Sequence, residues 1–248
     1  MSKMVILAGP GCVGKRPLFA AFRRFYPETA ARFRRLVLFN DRSPNPGEDD
    51  GVDYHFRSRM ELEAMRFKDG YVVADVRGHL QALEIKQIQE ILDAGDIPYY
   101  EGNPFVPAKL WDEGILNQFP HIPIFLSPLS REEILFLRAS ERRVDLNGFV
   151  REVQRRKLLR RTASRKKYLS LKDLEDIEHG TVSAYLELRE AWKFRHILVS
   201  YDSGDGDNWD AFHYPLGSAR KNLLSFAALV AGNESIEEDG PWPHDLLP

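Results

Sequence analysis

The sequence has 248 residues with 35 Lys plus Arg against 37 Asp plus Glu, and its 43% hydrophobic content is enough to bury a sizeable core as one domain or two small ones, which excludes disordered and fibrous classes. A formal net charge of -2 speaks against a dedicated nucleic-acid binder, and the single cysteine, Cys12, excludes an intramolecular disulfide framework and Cys-rich zinc sites. No apolar run reaches membrane-spanning length and the start MSKMVILAG is too short for a secretory signal, so a cytoplasmic location with no membrane partner is expected.

In chain order, Met4 to Ala8 is a continuous apolar run that breaks at Gly9, Pro10 and Gly11, as a buried strand ending in a turn does. After Lys15 the residues Leu18, Phe19, Phe22 and Phe25 recur at helical spacing, with Pro17 in the first turn, where a missing amide proton costs little. Leu36 to Phe39 is a second short apolar run, leading into the turn-rich surface loop DRSPNPGEDDG. Met60 to Met65 and Gln81 to Leu92 read as helices, Tyr71 to Val76 and Ile97 to Tyr100 as strands. His121 to Leu126 is a further strand, Ser130 and Glu133 form a capping-box pattern before a helix from Arg131 to about Arg142, and Ile197 to Tyr201 is a last core strand. This alternation predicts an α/β fold with a parallel sheet covered on both faces. Arg151, Arg155, Arg156, Lys157, Arg160, Arg161, Arg165, Lys166 and Lys167 are opposed within their stretch only by Glu152 and form a dense positive helix. After Gly232 the chain turns acidic, with Glu234, Glu237, Glu238 and Asp239, and residues 233–248 are expected to be a flexible tail.

Gly9 to Lys15 reads GPGCVGK and satisfies the G-x-x-x-x-G-K core of a phosphate-binding loop. Its glycines let backbone amides turn inward around a phosphate, the following helix adds a favourable dipole, and the lysine reaches terminal phosphate oxygens. Gly9, Gly11, Cys12, Val13, Gly14, Lys15 and Arg16 are therefore candidate nucleotide contacts. Arg16 stands where a Ser or Thr hydroxyl is expected to ligate the nucleotide's magnesium, and arginine cannot ligate a cation. Either carboxylates and water hold the metal, or the loop binds phosphate without efficient transfer.

With this loop and the stretch RSPNPGEDDGVDYHF, in which Arg42, Gly47, Glu48, Gly51, Asp53, Tyr54 and Phe56 fall at matching spacing, the sequence resembles the guanylate kinase family. The resemblance implies a P-loop three-layer fold over residues 1–232, with a nucleoside-monophosphate segment at about 38–95 and a basic helical lid at about 138–168. It implies that Arg42 and Tyr54 hold an acceptor phosphate, that Glu48 accepts hydrogen bonds from guanine, and that Gly78 keeps a place in the acceptor segment. By the same resemblance Lys15 is catalytic, Arg138 and Arg142 are lid arginines that stabilise transferring charge, and Glu101 at a strand end is the carboxylate for magnesium. The implied cofactors are ATP and Mg2+, and the implied partner is a nucleotide or small phosphorylated acceptor.

The sequence also departs from that family. Asn45 stands where a second phosphate-binding arginine is expected, Leu38 where a serine helps hold guanine, and Gln81 and Leu83 near the positions of tyrosine and hydroxyl contacts. Ser200-Tyr201-Asp202 lies where an asparagine meets adenine, the stretch from Ala163 to Trp192 is enlarged, and Asp75 and His79 are polar residues at an expected strand end and loop, read as solvated before catalytic. Two functions follow: an ATP-dependent phosphotransferase acting on GMP or a related phosphorylated acceptor, or an inactive kinase-like module that binds nucleotide, protein or RNA. A nucleic-acid contact, if the chain has one, falls on the basic helix.

Overall fold

The first strand, β1 (Met4–Ala8), sends Met4, Ile6 and Ala8 to one side and Val5 and Leu7 to the other, and all five are buried. A strand apolar on both faces belongs at the middle of a covered parallel sheet, and this one does. The computed structural model describes residues 2–45, 47–142, 144–202, 206–235 and 238–247, with nothing said of the side chains of Arg165 and Asp207. After β1 come α1 (Lys15–Phe25), α2 (Pro27–Ala30), β2 (Phe33–Arg35), β3 (Phe39–Asn40), β4 (His55–Phe56) and α3 (Arg59–Met65). They are followed by β5 (Tyr71–Val76), β6 (His79–Glu84), α4 (Lys86–Asp93), β7 (Ile97–Gly102), α5 (Phe105–Asp112) and β8 (His121–Ser127). The chain ends in α6 (Arg131–Arg138), α7 (Leu146–Arg165), α8 (Leu171–Arg189), β9 (His196–Val199) and α9 (Gly217–Val230).

The main sheet has the order β2-β7-β1-β8-β9 and every ladder in it is parallel. On one face Val5, Leu7, Tyr99, Ile124 and Leu198 pack against Leu18 and Phe22 of α1 and Leu223 and Phe226 of α9. On the other, Ile6, Tyr100, Phe125 and Ile197 pack against Val106 and Leu110 of α5 and Tyr185 and Leu188 of α8. This is the expected three-layer arrangement, and its sheet carries the phosphate loop at the C-terminal end of β1, where ligands of such folds bind.

A second sheet, β4-β3-β6-β5, makes the segment that carries Arg42 and Tyr54. Here the structure corrects a helix expectation: Gln81 lies opposite Ala74 in β5 and Asn40 in β3, so the stretch expected to be helical from Gln81 is strand through Glu84 and helical only from Lys86. Pairing with distant strands decided a short apolar run that periodicity alone leaves ambiguous. The helix expected to reach about Arg142 ends at Arg138, although Ser130 and Glu133 do form its capping box. The Leu36 to Phe39 run splits between a loop and β3. The long helices α8 and α9 had no counterpart in the sequence reading.

Residues 239–247, part of the segment expected to be flexible, pack back onto the core. Trp242, Leu246 and Leu247 are buried in the same cluster as α5 and α8, and Asp239 Oδ2 accepts hydrogen bonds from the Arg131 amide at 2.5 Å and Trp242 Nε1 at 2.7 Å. Three apolar side chains among the acids account for this, since burying each stabilises by about 1.5–3 kcal/mol. Glu237 lies outside the described residues. Among the described residues no helix is long and apolar enough to cross a membrane.

Candidate functional site

The phosphate loop joins β1 to α1. Gly14 caps α1 with φ 86°, and a Cβ there would come within 2.9 Å of the Asp202 carbonyl. Gly9, at φ 150°, would drive a Cβ into the Leu126 carbonyl, so these two positions require glycine for backbone conformation and space alike. Lys15 Nζ donates to the carbonyls of Gly9 and Pro10 at 2.7 Å each. Burial lowers the Lys15 pKa to about 8, against the raising influence of Glu101 and Glu187. Arg16 is exposed.

The loop is roofed by α7 and α8. In α7 the buried residues Leu146, Val150, Gln154 and Leu158 recur every fourth position, a single inward stripe. Gln154, polar within that stripe, donates through Nε2 to the Gly11 carbonyl at 3.0 Å. Cys12, left-handed at φ 58°, is buried against Leu158 of α7 and Ile177 of α8. Val13 sits in the α1 face of the core.

The segment that carries Arg42 and Tyr54 is organised around a different pair. Arg42 donates from Nη1 to Glu48 Oε2 at 2.6 Å and from Nη2 to Oε1 at 2.7 Å, while the Asn45 amide donates to Oε2 at 2.8 Å. Burial would raise the Glu48 carboxyl, but the bonds from Arg42 and Asn45 outweigh it and hold the pKa at about 2. The guanidinium also lies over the rings of Tyr54 and Phe56, 5.1 and 5.4 Å from their centroids. Leu38 is buried, and Gln81 and Leu83 lie in β6.

Between the two halves stands a residue that sequence reasoning missed. Val76 pairs with His79, so Arg77 and Gly78 alone turn the β5–β6 hairpin, both with positive φ (59° and 83°). That is the geometry of a type I′ turn. Gly78 suits it, and its amide donates to Asp75 Oδ1, while His79 Nδ1 lies 3.0 Å from Asp41 Oδ1. Arg77 reaches across to α8 and donates to Glu187 from Nε at 2.6 Å and Nη2 at 2.8 Å. The Glu187 carboxylate is fully buried. The available signal for Arg77 was its Arg-Gly dipeptide between two apolar strands; for Glu187 it was an acid inside the apolar stretch TVSAYLELREAW.

Other expected residues lie elsewhere. Glu101 ends β7 beside β1 and accepts a hydrogen bond from Tyr99 Oη at 3.1 Å. No Ser or Thr follows the loop lysine, because Arg16 holds that position, and among the described residues no three His, Cys, Asp or Glu side chains cluster as a metal site. The donor set does not fit a magnesium ion held by the protein itself. Arg138 is turned to the C-terminal segment, donating from Nη1 to the carbonyls of Asp245 at 2.9 Å and Leu246 at 2.6 Å. Arg142 is exposed and stacks on Phe136. Arg138 is thus engaged with the C-terminal segment and Arg142 with Phe136. On α7 the charge is met by neighbours: Arg155 pairs with Glu178 of α8 and Glu152, Arg156 with Glu152.

A phosphate loop at the end of β1, a helical roof and a separate small sheet define a P-loop three-layer α/β protein. No protein-family model matches the chain. Over 216 residues, 85% of this chain, it is 28% identical to guanylate kinase 1 of Oryza sativa subsp. japonica, covering 51% of that protein. It is 31% identical over 151 residues to guanylate kinase of Nitrosococcus oceani and 36% identical over 136 residues to that of Listeria monocytogenes serotype 4b, covering 65% and 61% of them. The chain therefore spans less than two thirds of each of these relatives. Guanylate kinase from Anaplasma phagocytophilum has a similar fold, with a TM-score of 0.54 at 14% identity, over 96% of this chain and 89% of that one. The chain is guanylate kinase-like in sequence and in fold.

Proposed function

We propose that the chain is a nucleotide kinase that moves the γ-phosphoryl group of ATP to GMP or a related nucleoside monophosphate. An oxygen of the acceptor's phosphate forms a bond to the γ-phosphorus while the bond to the β,γ-bridging oxygen breaks, and ADP leaves with that electron pair. The observation that supports this reading is that the Gly9 to Lys15 loop and the segment with Arg42 and Tyr54 occur in one fold, with Arg77 of the small sheet's hairpin lying beside Gly11 of the loop. Lys15 would neutralise charge on the β- and γ-phosphates and Arg42 would hold the acceptor, positioning being most of what phosphoryl transfer requires. Glu101 stands as a strand-end carboxylate beside the loop. Buried Leu38, where the resemblance expects a hydroxyl that helps hold guanine, argues for an acceptor read differently from GMP.

A second reading, an inactive nucleotide-binding module, is favoured by Arg16 at the hydroxyl position and by the engagement of Arg138 with the C-terminal segment. Coupled ADP release from ATP over a panel of nucleoside monophosphates decides between them. Turnover that depends on one acceptor supports the kinase. ATP binding with no turnover on any acceptor establishes the module.

A further inference from the structure

The Arg77 side chain is seated between two glycines on different elements. A Cβ added to Gly11 of the phosphate loop would lie 3.3 Å from Nη2, and one added to Gly180 of α8 would lie 3.6 Å from Nη1. Both surfaces are bare where the guanidinium passes. Its charge acts on Lys15, and Cys12 and Tyr54 act on it in turn. One cation of the β5–β6 hairpin thus borders the phosphate loop at Gly11. Its side chain is 28% exposed, whereas its partner Glu187 is 0% exposed, and the two bonds to that carboxylate leave from Nε and Nη2, so Glu187 does not engage Nη1.

The backbone bears on the same point. The first position of a type I′ turn is ordinarily Asn, Asp or Gly, and holding a long side chain in the left-handed region costs on the order of 1–3 kcal/mol. A hairpin needing only a turn has no use for arginine there. The acceptor segment also lacks a cation at Asn45, whose amides bond Glu48, so the segment's expected arginine pair is reduced to Arg42 alone.

We propose that Arg77 is a substrate-binding residue that contacts the phosphate chain where donor and acceptor meet, making good the cation absent at Asn45, and that Glu187 is the positioning residue that seats it. This rests on the kinase reading above. The ligand chemistry is a polyphosphate spanning both halves. Arg77 keeps one guanidinium edge on Glu187 and donates from the other to non-bridging oxygens, as a planar fork with five donors allows.

The test uses the full chain and two probes, ADP and a dinucleoside pentaphosphate carrying adenosine at one end and guanosine at the other. Arg77→Met alone would strand a buried carboxylate, so the Arg77→Met/Glu187→Met double variant accompanies it, because paired apolar replacement of a buried ion pair is commonly tolerated. The double variant is expected to bind the pentaphosphate about 10–100-fold more weakly, the equivalent of one or two charged hydrogen bonds, with its affinity for ADP nearly unchanged. Arg77→Lys, which keeps charge but not the fork, recovers part of the loss. Equal losses for both probes, or no loss for the pentaphosphate, overturn the role of Arg77 and leave the kinase reading standing. Wild-type protein that binds the pentaphosphate no better than ADP overturns the kinase reading itself, and the bridging role with it.

Discussion

Glu48 and Arg42 face each other as a two-bond ion pair, Nη1 to Oε2 at 2.6 Å and Nη2 to Oε1 at 2.7 Å. The carboxylate expected to read a base is instead bonded to the cation expected to hold a phosphate, and Asn45 supplies further donors to both its oxygens. Glu48 therefore aims Arg42.

Glu48→Gln should release Arg42 and raise the acceptor KM about tenfold, as loss of a charged hydrogen bond does, with a smaller effect on kcat. It should also destabilise the fold by about 1.5–3 kcal/mol. Because the folded carboxyl titrates at about 2 against 4.5 in a free side chain, this stability is present above about pH 4.5 and is lost as pH falls toward 2. Thermal unfolding of the two proteins from pH 7 to pH 2 checks it: their difference in Tm should shrink across that window, and a difference independent of pH would rule out the pairing as its cause.

Lys15 titrates near 8 in the free protein, so the loop loses its cation as pH rises through that value. A bound phosphate favours the ammonium, and the Kd for ADP should rise up to about tenfold per pH unit above 8. Calorimetry in buffers of differing ionisation heat should show proton uptake on binding at pH 8.5. Lys15→Met should bind weakly and without this pH dependence. For folding the sign is different: between about 8 and 10.5 the unfolded chain holds more protons at this lysine, so its contribution to stability improves as pH rises.

Cys12 is the single cysteine and is buried under Leu158 and Ile177. Alkylation should be slow in the folded protein, and the alkylated protein should lose ADP binding, because the added group occupies the loop beneath its roof. Leu158→Ala should cost about 2–4 kcal/mol and speed the alkylation. Full ADP affinity after complete labelling, verified by mass, would place the nucleotide elsewhere.

Arg138 ties α6 to the carbonyls of Asp245 and Leu246, next to buried Trp242. Arg138→Ala should lower stability by about 1–3 kcal/mol and Trp242→Ala by about 3–5 kcal/mol, each leaving kcat in place. Denaturant unfolding alongside the coupled assay separates this from a lid role. A loss of kcat with Tm unmoved would return Arg138 to the phosphates.

Local rules made part of this protein legible. The unbroken apolar run Met4 to Ala8 followed by GPGCVGK places a buried strand, a phosphate loop and a helix in order, because glycine spacing and helix periodicity act within a dozen residues. The Ser130–Glu133 capping box was legible for the same reason. The strand nature of Gln81 to Glu84 was not, since it depends on partners forty residues away in β3. Nor was the packing of residues 239–247, because the acids Glu234, Glu237, Glu238 and Asp239 that open the tail mark a solvated segment, while Trp242, Leu246 and Leu247 after them are buried only through contacts with distant helices.

The sequence by itself determined the strand, glycine loop and helix at the start of the chain and the parallel alternation, because each rests on short-range spacing. Only the tertiary structure decided which charges meet. It bonded Arg138 to the C-terminal segment, joined Arg42 to Glu48, and brought Arg77 to Glu187 across 110 residues. Ion pairs between distant residues leave no periodic mark in a sequence, and burial, which makes a lone charge costly, selects them only once the chain is folded.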